Sequence, residues 1–127
     1  MKTAFSSFAD YIDASWSEER VKVEVAAHAA RSGCSQDDLL NAVALELARR
    51  FDQQKIHHGE AMAKAAALYN AVFGDSEVPR QLYAVYWALD EAEYGSEKDH
   101  RLDEDAPRKR ARDEIRTILA AVARDDA

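Results

Sequence analysis

The sequence predicts an all-α fold, a single compact bundle of about five or six helices with no sheet, and three observations carry that prediction. Every periodic segment repeats its apolar residues at i, i+3, i+4 and i+7, and none alternates. Breakers are scarce, with 4 glycines and 2 prolines, while alanine is abundant, which favours helices over a turn-rich β fold. The stretch Gln81–Tyr94 reads as a helix with two non-polar faces. Leu82, Val85, Tyr86 and Leu89 fall on one side, and Tyr83, Trp87, Asp90 and Tyr94 on another flank. One apolar face is enough for a surface helix, so the second flank needs a neighbour, inside the protein or in a partner.

The elements follow in order. Phe5, Phe8, Ala9 and Ile12 predict a short amphipathic helix over about residues 3–13. Ser15 or Ser17 can cap the next helix, whose Glu18 and Glu19 suit the positive end of the helix dipole. Its inner face carries Val21, Val25, His28 and Ala29, and Gly33 is a C-terminal stop. Ser35 followed by Asp38 resembles a capping box and opens a third helix with the stripe Leu40, Val43, Ala44, Leu47 and Phe51. The pattern breaks at 53–59. A fourth helix then places Met62, Ala65, Ala66, Tyr69 and Phe73 on one face and ends at Gly74. Asp75 or Ser76 is expected to cap the Tyr/Trp helix, with Pro79 near its first turn. Residues 95–106 are polar and strongly acidic, and read as a loop. Pro107 opens a last helix over about 107–124, with Ala111, Ile115, Ile118, Leu119 and Val122 inward.

With 127 residues the chain fits one domain, large enough to bury about two-thirds of its unfolded surface. A formal net charge of −7 disfavours phosphate backbones and anionic lipid as main partners and suits attraction to basic proteins. No run approaches the apolar length needed to span a bilayer, and the first residues lack the continuous apolar core of a signal peptide. The single cysteine, Cys34, allows no intramolecular disulfide. A cytoplasmic, reducing location is the simplest expectation.

Candidate chemistry is thin. His57, His58 and Glu60 are donors suited to zinc or iron, and Glu24 and His28 stand at i, i+4. Adjacent histidines diverge on a helix, however, and no HExxH-type spacing occurs, so no metal or cofactor is expected. Cys34 lacks any motif that supplies a base, which leaves it as a small hydrophobe. Asp90, Glu91 and Glu93 read as a solvated helix end. Arg108, Lys109, Arg110, Arg112 and Arg116 form a basic cluster, interrupted by Asp113 and Glu114 and preceded by the acids 103–105, which reads as local neutralisation. These features do not point to an enzyme.

The flank Tyr83, Trp87, Asp90 and Tyr94 stands out, because Tyr and Trp are enriched at interface hot spots. The expected function is a small acidic protein-binding module that engages a basic protein. Tyr83, Trp87 and Tyr94 would be anchors, and Asp90, Glu91, Glu97, Asp99, Asp103 and Asp105 the attracting charges. In size, charge and helicity the chain resembles inhibitor or immunity-type proteins that mask a basic toxin or nuclease. Two alternatives use other residues: a metal-dependent helical enzyme or sensor built on His28, His57 and His58, and a nucleic-acid-associated regulator built on the Arg108–Arg116 helix. Nucleic acid is disfavoured by charge, no membrane partner is expected, and a homodimer is compatible with the composition.

Overall fold

The computed structural model describes the backbone of residues 4–72, 77–93 and 106–126, and the side chains of residues 7–72, 77–90 and 109–124. Among the described residues it is all helical, with six helices and no strand. They are α1 (Ala4–Tyr11), α2 (Glu18–Ser32), α3 (Gln36–Asp52), α4 (His58–Val72), α5 (Arg80–Glu93) and α6 (Ala106–Asp126).

Local chemistry sets most of these ends. Ser17 Oγ accepts from the Arg20 N–H at 3.1 Å and starts α2. Gly33 closes α2 at φ +70°, a left-handed conformation open to glycine at little cost, and the next N–H, of Cys34, returns to the Ala29 carbonyl at 3.1 Å. Ser35 Oγ accepts from the Asp38 N–H at 3.0 Å and starts α3. Ser15 instead serves the α1–α2 turn, donating through both its N–H and its hydroxyl to Asp13 Oδ1 at 2.8 Å.

Helix α3 is the hub. It packs against all five other helices. Its burial is correspondingly wider than the expected stripe, since Leu39, Leu45 and Ala48 join Leu40, Val43, Ala44, Leu47 and Phe51 in the interior. Helix α5 packs against α3, α4 and α6 and buries Leu82, Val85, Ala88 and Leu89. The core continues through Phe8 and Ile12 of the first segment, Val21, Val25 and Ala29 of α2, Ala61, Met62, Ala65 and Leu68 of α4, and Ala111 and Ile115 of α6. Farther along α6, Ile118, Leu119 and Val122 are only half-buried. At 1.5 Å per residue the 21 residues of α6 span about 31 Å, against about 21 Å for the 14 residues of α5, so α6 outruns that neighbour.

Helix α1 is held by charge as well as by its apolar face. Arg50 of α3 reaches Asp10 at 2.6 Å and Glu46 at 3.1 Å. Burial alone would lower the Arg50 pKa, but the hydrogen bonds to these two carboxylates outweigh it and raise the value. Lys64 of α4 donates to the Ala9 carbonyl at 2.9 Å, near the end of α1 where carbonyls lack helical partners.

Candidate functional site

The two-faced pattern of α5 resolves into one buried and one open flank. Leu82, Val85 and Leu89 are fully buried, whereas Tyr83 is 52% and Trp87 42% exposed. No described helix covers the second flank. The expected neighbour on that side is therefore absent among the described residues, apart from the edge contributed by α4.

That edge is an aromatic platform. Tyr69 of α4 stacks on Tyr86 of α5, with ring centroids 4.1 Å apart and planes 8° from parallel. Trp87 meets both rings edge-on, 5.3 Å from Tyr86 and 6.3 Å from Tyr69. Tyr83 lies 6.2 Å from Trp87, one turn earlier on α5. The two edge-on contacts of Trp87 are the edge-to-face geometry that aromatic quadrupoles favour. The platform orients Trp87 without burying it.

Tyr69 and Tyr83 also wall a groove of about 650 Å³. Val78 and Pro79 give it an apolar side, and Asp37, Glu77 and Arg80 bring charge to it. The groove exists because α5 starts beside α3. Asn41 Oδ1, in the middle of α3, accepts from the backbone N–H of Gln81 at 2.9 Å and of Leu82 at 3.2 Å. Those first-turn N–H groups have no acceptor within α5, so Asn41 acts as a cap supplied from another helix. Asp75 and Ser76, the expected caps of α5, lie outside the described residues. The helix begins at Arg80, with the Pro79 carbonyl accepting from the Tyr83 N–H at 3.0 Å.

Of the expected recognition residues, the structure brings Tyr83, Trp87 and Asp90 onto successive turns of α5, Asp90 being half-exposed. The side chain of Glu91 and the residues Tyr94, Glu97, Asp99, Asp103 and Asp105 lie outside the described residues, as do Phe73, Gly74, Asp75 and Ser76. Sequence reasoning missed Tyr69, Asn41, Asp37 and Glu77 as parts of this surface. The helical period places Tyr69 on one face with Met62 and Ala65 and says nothing of its stacking partner, and a long-range Asn cap leaves no local pattern.

The metal candidates separate. His28 packs its ring 4.9 Å from Phe8, while His58 Nε2 lies 2.7 Å from the Leu89 carbonyl on the other side of α3. Among the described residues no three His, Cys, Asp or Glu side chains come together as a metal-holding group. Cys34 packs against the core, half-buried. In the basic segment, Arg116 Nε binds Asp52 at 2.6 Å, so this arginine neutralises the end of α3 rather than the acids at 103–105. No described helix is long and apolar enough to cross a membrane.

Comparison of the chain with protein-family models, with curated proteins and with solved structures finds no match.

Proposed function

We propose that this is a small acidic protein-binding module, and that its recognition surface is the Tyr83–Trp87 flank of α5 together with the groove beside it. The observation that supports this reading is the exposed Tyr/Trp pair, held in fixed orientation by the stacked Tyr69 and Tyr86. A rigid aromatic that remains accessible loses little conformational entropy when a partner covers it. Tyr83, Trp87 and Tyr94 are the anchors. Asp37, Glu77 and Asp90 add negative charge around them, opposed by Arg80, and Glu91, Glu97, Asp99, Asp103 and Asp105 extend the acidic character in the sequence.

This distribution, with the net charge of −7, supports a basic partner and an inhibitor or immunity-type role in which the module masks it. Acids set encounter rate and salt sensitivity, and aromatics set dissociation. The test is affinity capture from the native cell at low and at high salt, with wild type, Trp87→Ala and Tyr83→Ala, each checked for folding by circular dichroism. A basic protein retained by wild type and released by both variants supports the reading. Equal retention by folded Trp87→Ala and Tyr83→Ala removes this surface from the function.

A further inference from the structure

A second cavity, of about 450 Å³, opens where the end of α3, the turn after it, the start of α4 and the first half of α6 meet. Phe51 and Ile56 form its apolar wall; Gln54, His57, His58, Gly59 and Arg112 form its polar one. Among the described residues no carboxylate lines it.

Arg112 is the informative residue. The residue is half-buried, and its Nε is buried with no hydrogen-bond partner. The contrast with its neighbours is direct, since Arg50 holds two carboxylates and Arg116 holds one. Burying part of a guanidinium without a counter-charge is unfavourable, because its hydration is lost and nothing replaces it.

The other groups around the cavity carry the same preference. His57 immediately precedes α4, and its carbonyl accepts the Ala61 N–H at 3.1 Å. The N–H groups of His58, Gly59 and Glu60 therefore have no acceptor within the helix, and the positive end of the α4 dipole lies at the cavity. His58 is fixed differently. The Leu89 carbonyl, 2.7 Å from its Nε2, can only accept, so that nitrogen carries a proton and the ring is anchored to α5. The imidazole of His57 is exposed at the rim. The histidine pair and the basic segment are about fifty residues apart in the chain and weak as separate signals, yet the fold places them around one space.

We infer that this cavity binds a phosphate monoester, with the Arg112 guanidinium supplying the charge, His57 and the first-turn N–H groups of α4 donating to the phosphoryl oxygens, and Phe51 and Ile56 taking the organic part. Phosphate fits better than a carboxylate because three donor groups converge, and phosphate offers three strong acceptor oxygens and close to two negative charges. The cavity volume exceeds that of a bare phosphate and falls within the range of small-ligand pockets.

The test is a titration of the full chain, followed by amide NMR at constant ionic strength, with phenyl phosphate, inorganic phosphate, phenol and chloride as separate arms. The Gly59 amide is expected to shift with phenyl phosphate and, at about tenfold higher concentration, with inorganic phosphate, and to stay in place with phenol or chloride. Arg112→Met should weaken phenyl phosphate at least about tenfold while melting no lower than wild type, since it removes a buried group that has no partner. His57→Ala, at an exposed position that leaves the core intact, should weaken it by a few-fold and keeps the test valid if Arg112→Met is poorly folded. Arg116→Met should leave binding unchanged. The inference is overturned if the Gly59 amide does not respond to phenyl phosphate at about 10 mM, or if the response survives Arg112→Met and His57→Ala unchanged.

Discussion

Among the described residues two Tyr/Trp clusters reach the surface, and they differ in what surrounds them. Tyr11 is 50% exposed and Tyr83 52%, so accessibility alone does not tell them apart. Tyr11 lies edge-on to Trp16 at 5.0 Å and to Phe8 at 6.4 Å, and the Arg20 guanidinium covers the Trp16 ring at 4.3 Å. That cluster joins the end of α1 to the start of α2, and a cation from the chain already occupies the indole face. Trp87 rests on Tyr69 and Tyr86 and has no such cation among the described residues. The first cluster is a clasp, with its binding capacity used internally. The second keeps a free edge, so similar residue types serve cohesion in one place and, in the function we propose, recognition in the other.

The largest effect that sharpens this comparison lies on the opposite side of α5. Leu89→Ala should lower stability by about 2–5 kcal/mol through lost transfer energy and the cavity left behind, measured by urea unfolding. If Leu89→Ala cost no more than Trp87→Ala, the division of α5 into a structural and a functional flank would fail. Asn41→Ala comes next, at about 1–2 kcal/mol, because it strands the first-turn N–H groups of Gln81 and Leu82. It should also loosen the groove beside Tyr83, seen as faster amide exchange at Gln81 and Leu82. Trp16→Ala should cost about 1 kcal/mol by removing the cation–π contact and one aromatic pair, and should leave partner capture unchanged. A loss of capture with Trp16→Ala and not with Trp87→Ala would exchange the roles of the two clusters.

The smallest effect is electrostatic and belongs to the clasp. The backbone N–H of Ser15, followed by its hydroxyl, stabilises the Asp13 carboxylate and holds its pKa below the ordinary 3.8. A carboxylate depressed in the folded state adds stability above its unfolded pKa and loses it as pH falls through the folded value. The contribution of Asp13 should therefore be complete near neutral pH and vanish only in strong acid. A carboxyl NMR titration should place Asp13 below the ordinary aspartate value, and Ser15→Ala should bring it back toward that value.

Much of the scaffold was legible in the sequence because helix signals are local. Ser17, Gly33 and Ser35 act within four or five residues of themselves, and the stripe of α3 follows from the helical period. What was not legible depends on the approach of distant segments. Asn41 caps a helix that starts 39 residues later, so its neighbours in sequence are silent about it. Tyr69 looks like a core residue, and it is one, yet its stacking on Tyr86 is what presents Trp87. The full burial of α3 was also hidden, because a stripe read from one helix does not reveal how many neighbours surround it. The candidate surface was half legible: Tyr83 and Trp87 were legible as a second flank of α5, whereas Asp37, Glu77 and Asn41 come from elsewhere in the fold.

The central claim is that Trp87 is free in the isolated protein and covered in the complex. Trp16→Phe leaves Trp87 as the only indole, and acrylamide quenching of its fluorescence reads accessibility directly. Ready quenching is expected in the free protein, with a several-fold lower quenching constant once the captured basic partner is bound at saturation. Strong protection in the free protein, or equal quenching with and without the partner, would contradict it.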